Sequence, residues 1–179
     1  MADGSLVRTV KYLGRDHYAV PVVCMVGNSV VWSISAEGPE FVPAETLQNS
    51  PPESWNGRHA VTDHPAQGSA SANTPGYLES SSFGTLFNTG FVGGNLVSEA
   101  WIDPARVESV GELAQSVLSR CLAGESVEVS IGAFVLIEMT EGEYNGQKYV
   151  GIWRDIVSDH LAMLPVNHTG ACSVEMGCG

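Results

Sequence analysis

Hydrophobic positions fall into short runs rich in valine, isoleucine, tyrosine and tryptophan, separated by glycine and proline. Residues 6–12, 18–26 and 29–35 are such runs and predict strands. Gly27-Asn28 lies between the last two and predicts a hairpin turn. Pro21 cannot donate to a ladder, so its part of the second run belongs at an edge or a bulge. Residues 41–49 predict a short helix with Pro43 near its first turn, followed by a polar stretch over residues 50–56. Residues 65–82 have the composition of a long irregular loop, which is expected to lie beside a functional site as a substrate flap. Residues 83–91 and 96–102 predict an antiparallel pair joined by Gly93-Gly94.

Asp103-Pro104 opens the principal helix. Ser109 and Glu112 match a capping box, and Val110, Leu113, Val117, Leu118, Cys121 and Leu122 recur at helical spacing, so one long helix is expected over residues 109–123. Gly124 stops it. Residues 127–140 form a long strand-like run, Asn145-Gly146 turns the chain into residues 147–154, and residues 161–164 predict a further strand ending at Pro165. The expected fold is therefore mainly β (α+β), a single-domain closed or bent β-barrel of about seven to eight strands with one principal helix. The barrel domain would occupy residues 1–169. Residues 170–179, with no capping element, would be a flexible C-terminal tail or mark the chain as a fragment of something longer.

Charge narrows the function. The 179 residues carry 8 Lys and Arg against 20 Asp and Glu, a net −12. Such a surface repels phosphate backbones and anionic membranes, so neither nucleic acid nor membrane is an expected partner. No apolar run has the length of a membrane span, and residues 1–5 carry no signal-peptide pattern, which points to a protein kept inside the cell. Cys24, Cys121, Cys172 and Cys178 show no disulfide, zinc or redox spacing and are expected to be reduced thiols.

Five histidines and one serine are the candidates for chemistry. His17 follows Arg15-Asp16 in a turn and is expected to be solvated. His59 and His64 flank a short strand, and His160 stands beside Asp159 at the start of an apolar strand. Ser130 lies inside a strand-forming run. Strand alternation puts it on one face with Glu128 and Gly132, where a glycine would leave room for a substrate backbone. No phosphate loop, dinucleotide fingerprint, His-Glu-x-x-His or Gly-x-Ser-x-Gly occurs, so no cofactor is expected. His59, His64 and His160 could in principle gather a metal ion, giving a metal-dependent hydrolase, but no ligand spacing supports it.

Several segments together resemble one family: Trp55-Asn-Gly-Arg-His-Ala-Val-Thr-Asp-His-Pro, Phe83-Gly-Thr-Leu-Phe-Asn-Thr, Leu96-Val-Ser-Glu-Ala-Trp-Ile-Asp, Val129-Ser-Ile-Gly, Asp159-His-Leu-Ala-Met-Leu-Pro and Gly170-Ala-Cys-Ser. They are similar to a group of tailed-phage proteins related to prohead maturation proteases and, more remotely, to the herpesvirus assemblin serine proteases. The resemblance implies a serine endopeptidase with Ser130 as nucleophile, His64 as base and His160 as third member, with Asp159 as the alternative third member. Alternation on a strand would put Asp159 on the face opposite His160, as a turn or capping group. The oxyanion and substrate loop would be Asn167, His168, Thr169 and Gly170, near Gly132. The implied partners are phage scaffold and major capsid protein, with a possible homodimer. The implied place is the procapsid inside the bacterial host cytoplasm. The alternative is a non-catalytic head- or scaffold-associated structural protein that keeps the barrel.

Overall fold

In a computed structural model, residues 7–33, 37–66 and 70–179 are described. The fold is mainly β. Among the described residues nine strands form one sheet: β1 Arg8–Tyr12, β2 Arg15–Val26, β3 Ser29–Val31, β4 Glu40–Val42, β5 His59–Val61, β6 Ser82–Val92, β7 Asn95–Ile102, β8 Val129–Tyr144 and β9 Gln147–Met163. The order is β1-β2-β7-β6-β5-β9-β4-β3, with β8 paired to β9. The sheet is not closed, so the closed form of the expected barrel is not what the strand pairing gives. Among the described residues no helix is long and apolar enough to cross a membrane.

The long β8–β9 hairpin turns at Asn145-Gly146, both at positive φ, as that dipeptide favours. Gly93-Gly94 likewise joins β6 and β7. Gly27-Asn28 makes no hairpin, because β2 pairs with β1 and β7 while β3 pairs with β4. A Cβ on Gly27 would stand 2.3 Å from the Gly94 carbonyl oxygen, so this glycine serves a close backbone approach. Pro21 pairs with Glu99 of β7, and among the described residues the ladder from β2 to β1 ends at Ala19, so no β1 partner is described for its nitrogen.

Two expected strands merge into β9. Residues 155–160 look too polar for a core strand, yet their polar groups find partners in the fold. Ser50 Oγ donates to Asp155, and Ser158 Oγ donates to the Ser54 carbonyl while accepting from Arg58. The single long helix is instead two, α3 Pro104–Val110 and α4 Glu112–Leu122. Gly111 between them has φ 100°, which ends one helix and redirects the next. The expected capping box does not form. Asp103 caps α3 through the Ala105 N–H, and Ser109 Oγ bonds back to the Arg106 carbonyl. The 65–82 segment is not wholly irregular, since α2 covers Pro75–Ser81 with Pro75 in its first turn. The short helix α1, Ala44–Asn49, follows Pro43.

The core lies between the sheet and the helices. Phe83 and Leu86 of β6, Leu96 and Ile102 of β7, and Val107, Val117 and Cys121 of the two helices are buried in one cluster with Trp55. Truncating Phe83 to alanine there would cost about 3–5 kcal/mol. His17, expected in solvent, is buried with Nδ1 on the Arg15 carbonyl and Nε2 3.9 Å from Asp103, which also takes Arg15 at 2.8 Å.

Residues 170–179 do not hang free as a tail. Gly179 exchanges two 3.0 Å backbone hydrogen bonds with Val23, and the Gly170 and Val174 N–H groups both donate to the Glu128 carboxylate. The segment thereby bridges β2 and the start of β8. Cys172 and Cys178, expected to be reduced, are joined as a disulfide across this turn, both buried. Folding the turn brings together two cysteines that sequence spacing gave no reason to pair. Cys24 and Cys121 are free and buried. Thiol titration of the unfolded chain without reductant should find two thiols, rising to four after reduction; four from the start would remove the disulfide.

Candidate active site

His64 follows β5, and β5 lies parallel to β9 with His59 opposite His160 and Val61 opposite Ala162. His64 thus leaves the end of its strand beside His160. The two imidazoles meet edge to face, with His64 Nδ1 2.8 Å from His160 Nε2. His160 Nδ1 is in turn 2.8 Å from Asp159 Oδ2. The three side chains form a linear chain, Asp159–His160–His64.

The expectation that Asp159 and His160 face opposite ways is corrected by a bulge. Gly132 of β8 pairs with His160 and Ala133 pairs with Ser158, so Asp159 is an extra residue in β9. A bulge interrupts alternation and re-aims a side chain. Asp159 consequently touches His160 rather than His64, and it is neither a turn residue nor a direct partner of His64. Its carboxylate is held by three donors besides His160: Ser71 Oγ, the Ala72 N–H at 2.8 Å, and Asn73 Nδ2 at 2.8 Å, which also reaches the Asp159 carbonyl at 3.3 Å. Ser71, Ala72 and Asn73 belong to the polar loop and were not singled out from the sequence, where nothing in their spacing marks them.

Gly132 has a different use from the one expected. A Cβ there would lie 1.9 Å from His160 Cε1 and 2.2 Å from Nδ1. The missing side chain makes room for the His160 ring, not for a substrate backbone. The ring is seated on bare β8 backbone on one side and fixed by Asp159 and His64 at its two nitrogens.

Hydrogen-bond direction follows from the acid at one end. Asp159 can only accept when ionised, so His160 carries its proton on Nδ1 and presents a lone pair at Nε2. His64 then donates from Nδ1 and keeps a lone pair at its own Nε2. Burial would raise Asp159, but hydrogen bonds from Ser71, His160 and the Ala72 N–H outweigh it and hold the carboxyl below its ordinary range. Burial lowers His160, with the Asp159 carboxylate opposing. Burial lowers His64 to about 4, the neighbouring His160 acts in the same direction, and Asp63 opposes both. Both rings are neutral near pH 7, and His64 Nε2, with no partner among the described residues, can accept a proton.

Ser130 pairs with Ala162 on β9, two residues from Gly132, and lines the same cavity of about 590 Å³ as His64, His160 and Asp159. Among the described residues its hydroxyl makes no hydrogen bond, and no hydrogen bond joins it to His64. Such contacts are often long before substrate binds. Of the expected oxyanion loop, His168 and Thr169 line the cavity, whereas Asn167 and Gly170 do not. The Gly170 N–H is taken by Glu128, and the His168 N–H by the Pro165 carbonyl. Glu128, which anchors this loop, is a further residue that sequence reasoning passed over.

His59 does not join the other histidines, since its Nδ1 lies 2.9 Å from Ser82 Oγ. Among the described residues no group of three His, Cys, Asp or Glu side chains is placed to hold a metal ion. Compared with family models, curated proteins and solved structures, the chain matches none.

Two outcomes are expected. Gly132→Ala should displace the His160 ring and break its bond to His64, seen as a change in the imidazole resonances of both histidines; unchanged resonances would contradict the packing. His64 folded takes its proton near pH 4, against about 6.5 unfolded. The unfolded chain therefore binds more protons between those values, and stability declines as pH falls from about 6.5 toward 4. The unfolding midpoint of the wild type should fall across that window more steeply than that of His64→Gln; equal slopes would contradict it.

Proposed function

We propose that this chain is a serine endopeptidase of the prohead-maturation type, acting on scaffold and capsid protein during phage head assembly. The observation that carries the reading is the Asp159–His160–His64 chain at the edge of a cavity that Ser130 also lines. In this reading the sheet is the bent barrel of an assemblin-like protease, with the procapsid as its place of action and a homodimer as its possible assembly.

Ser130 Oγ attacks the peptide carbonyl carbon while its proton passes to His64 Nε2. His64, now imidazolium, donates that proton to the departing amine as the C–N bond breaks. Water then repeats the sequence, giving its proton to His64 and its oxygen to the acyl carbon, and Ser130 recovers its hydrogen. His160 keeps His64 in the useful tautomer and accepts from its Nδ1–H throughout. Asp159 does the same for His160 one step further out. Because burial makes His64 a weak base, proton removal is costly and a slow enzyme is expected. In this reading the oxyanion contacts come from Thr169 and His168, the two residues of the expected loop that line the cavity.

The absent Ser130–His64 hydrogen bond favours a second reading, a head-associated structural protein without catalysis. Co-expression with scaffold and capsid protein, followed by mass analysis, separates the two. Processing that stops in Ser130→Ala supports the protease; intact substrates with the wild type, or processing that survives the substitution, reject it.

Two further variants order the relay. The Ala72 N–H and the His160 Nδ1–H both donate to Asp159 Oδ2. In Asp159→Asn they would pin the amide oxygen at that place and preserve the tautomers. The charge is lost, and the new amide nitrogen stands where Oδ1 accepted from Ser71 Oγ and Asn73 Nδ2. The Asn73 bond is lost as well, while the Ser71 hydroxyl can turn to accept. The rate should fall at least about tenfold, the difference between a charged and a neutral hydrogen bond. His160→Ala removes the orienting group and should cost on the order of 10⁴. Asp159→Asn proving the worse of the two would overturn this order.

A further inference from the structure

The cavity continues along β8 away from the histidines, past Ala133, Phe134 and Val135 to Ile137, where it is bounded by Trp32, Ser33, Glu40 and Trp153. Trp153 pairs with Ile137 across the hairpin, five residues along β8 from Gly132 at the histidine end. At about 3.3 Å per residue, the two ends lie roughly 17 Å apart. A segment of about five extended residues would span them.

Glu40 is the unusual group at the far end. It is 4% exposed, and Oε2 accepts from Trp153 Nε1 at 2.7 Å and from Ser33 Oγ at 2.9 Å. Among the described residues no donor reaches Oε1. All eight lysines and arginines of the chain lie within the described residues, and none pairs with Glu40. A buried carboxylate is expensive without a cation. This one lines an open cavity that Trp32 and Trp153 also line, and aromatic faces favour cations.

We propose that the end of the cavity formed by Glu40, Trp153 and Trp32 is a subsite for a lysine or arginine side chain of an extended peptide, with Glu40 as its counter-charge. The substrate class this names, a peptide with a basic residue about five positions from the reacting bond, rests on the endopeptidase reading; the cation site itself does not. Trp153 Nε1 fixes Oε2, and Oε1, which no donor among the described residues reaches, takes the incoming ammonium or guanidinium. Ile137, Val135 and Met25 provide apolar wall for the methylene stem, as long basic side chains require.

The test uses n-butylammonium and n-butanol as probes, read on the indole N–H resonance of Trp153. Butylammonium should shift that resonance saturably in the wild type and butanol should not. Glu40→Gln, which can still accept from Trp153, should weaken the ammonium response at least tenfold. Equal shifts with both probes, or an undiminished response in Glu40→Gln, would overturn the subsite, and the wild-type comparison stands even if the variant folds poorly. Peptides with lysine or norleucine at that distance supply a separate arm. Ammonium binding with no cleavage of any peptide keeps the subsite and defeats the protease; cleavage indifferent to lysine, with no ammonium shift, does the reverse.

Discussion

One extra residue in β9 sets the geometry on which the site depends. Because Asp159 is bulged out of the β8–β9 ladder, a carboxylate and the imidazole next to it in sequence can bond to each other. A regular strand would have sent them to opposite faces. The bulge would gain nothing if β8 carried a side chain opposite His160, and Gly132 removes that obstacle. The parallel pairing of β5 with β9 then delivers His64 to the remaining nitrogen of His160. Three separate backbone features converge on one line of hydrogen bonds.

That line is stiffened from outside. The 71–73 loop donates to Asp159 from a hydroxyl, a backbone N–H and an amide, which keeps the carboxylate charged in spite of its burial. The same fastening fixes the loop beside the cavity, so a segment with the composition of a mobile flap is partly structural. Just before β8 Glu128 plays a comparable part, holding the 170–174 turn by two N–H groups. Buried polar groups of this kind are worth most when every member is satisfied.

Much of this was legible in the chain. The β-branched runs gave most strands, and Gly93-Gly94 and Asn145-Gly146 marked the turns that join β6 to β7 and β8 to β9. His64, His160, Asp159 and Ser130 were all singled out, and the structure places all four around one cavity. What the sequence hid is where tertiary pairing overrides local pattern. Residues 155–160 continue a strand because distant partners such as Ser50, Ser54 and Arg58 satisfy them. Gly111 splits a helix whose apolar spacing looks continuous. Bulges leave no trace in alternation until the partner strand is known, so the role of Asp159 was unreadable. Cys172 and Cys178 meet only because the last residues dock on β2.

The central claim is that the Asp159–His160–His64 chain makes Ser130 a nucleophile. A fluorophosphonate tests this directly, since it reacts with a serine only where a base takes the hydroxyl proton. The account predicts a single adduct at Ser130 by peptide mass mapping, formed at pH 7 and lost in His64→Gln. No adduct, or one that forms equally well without the His64 imidazole, would contradict it.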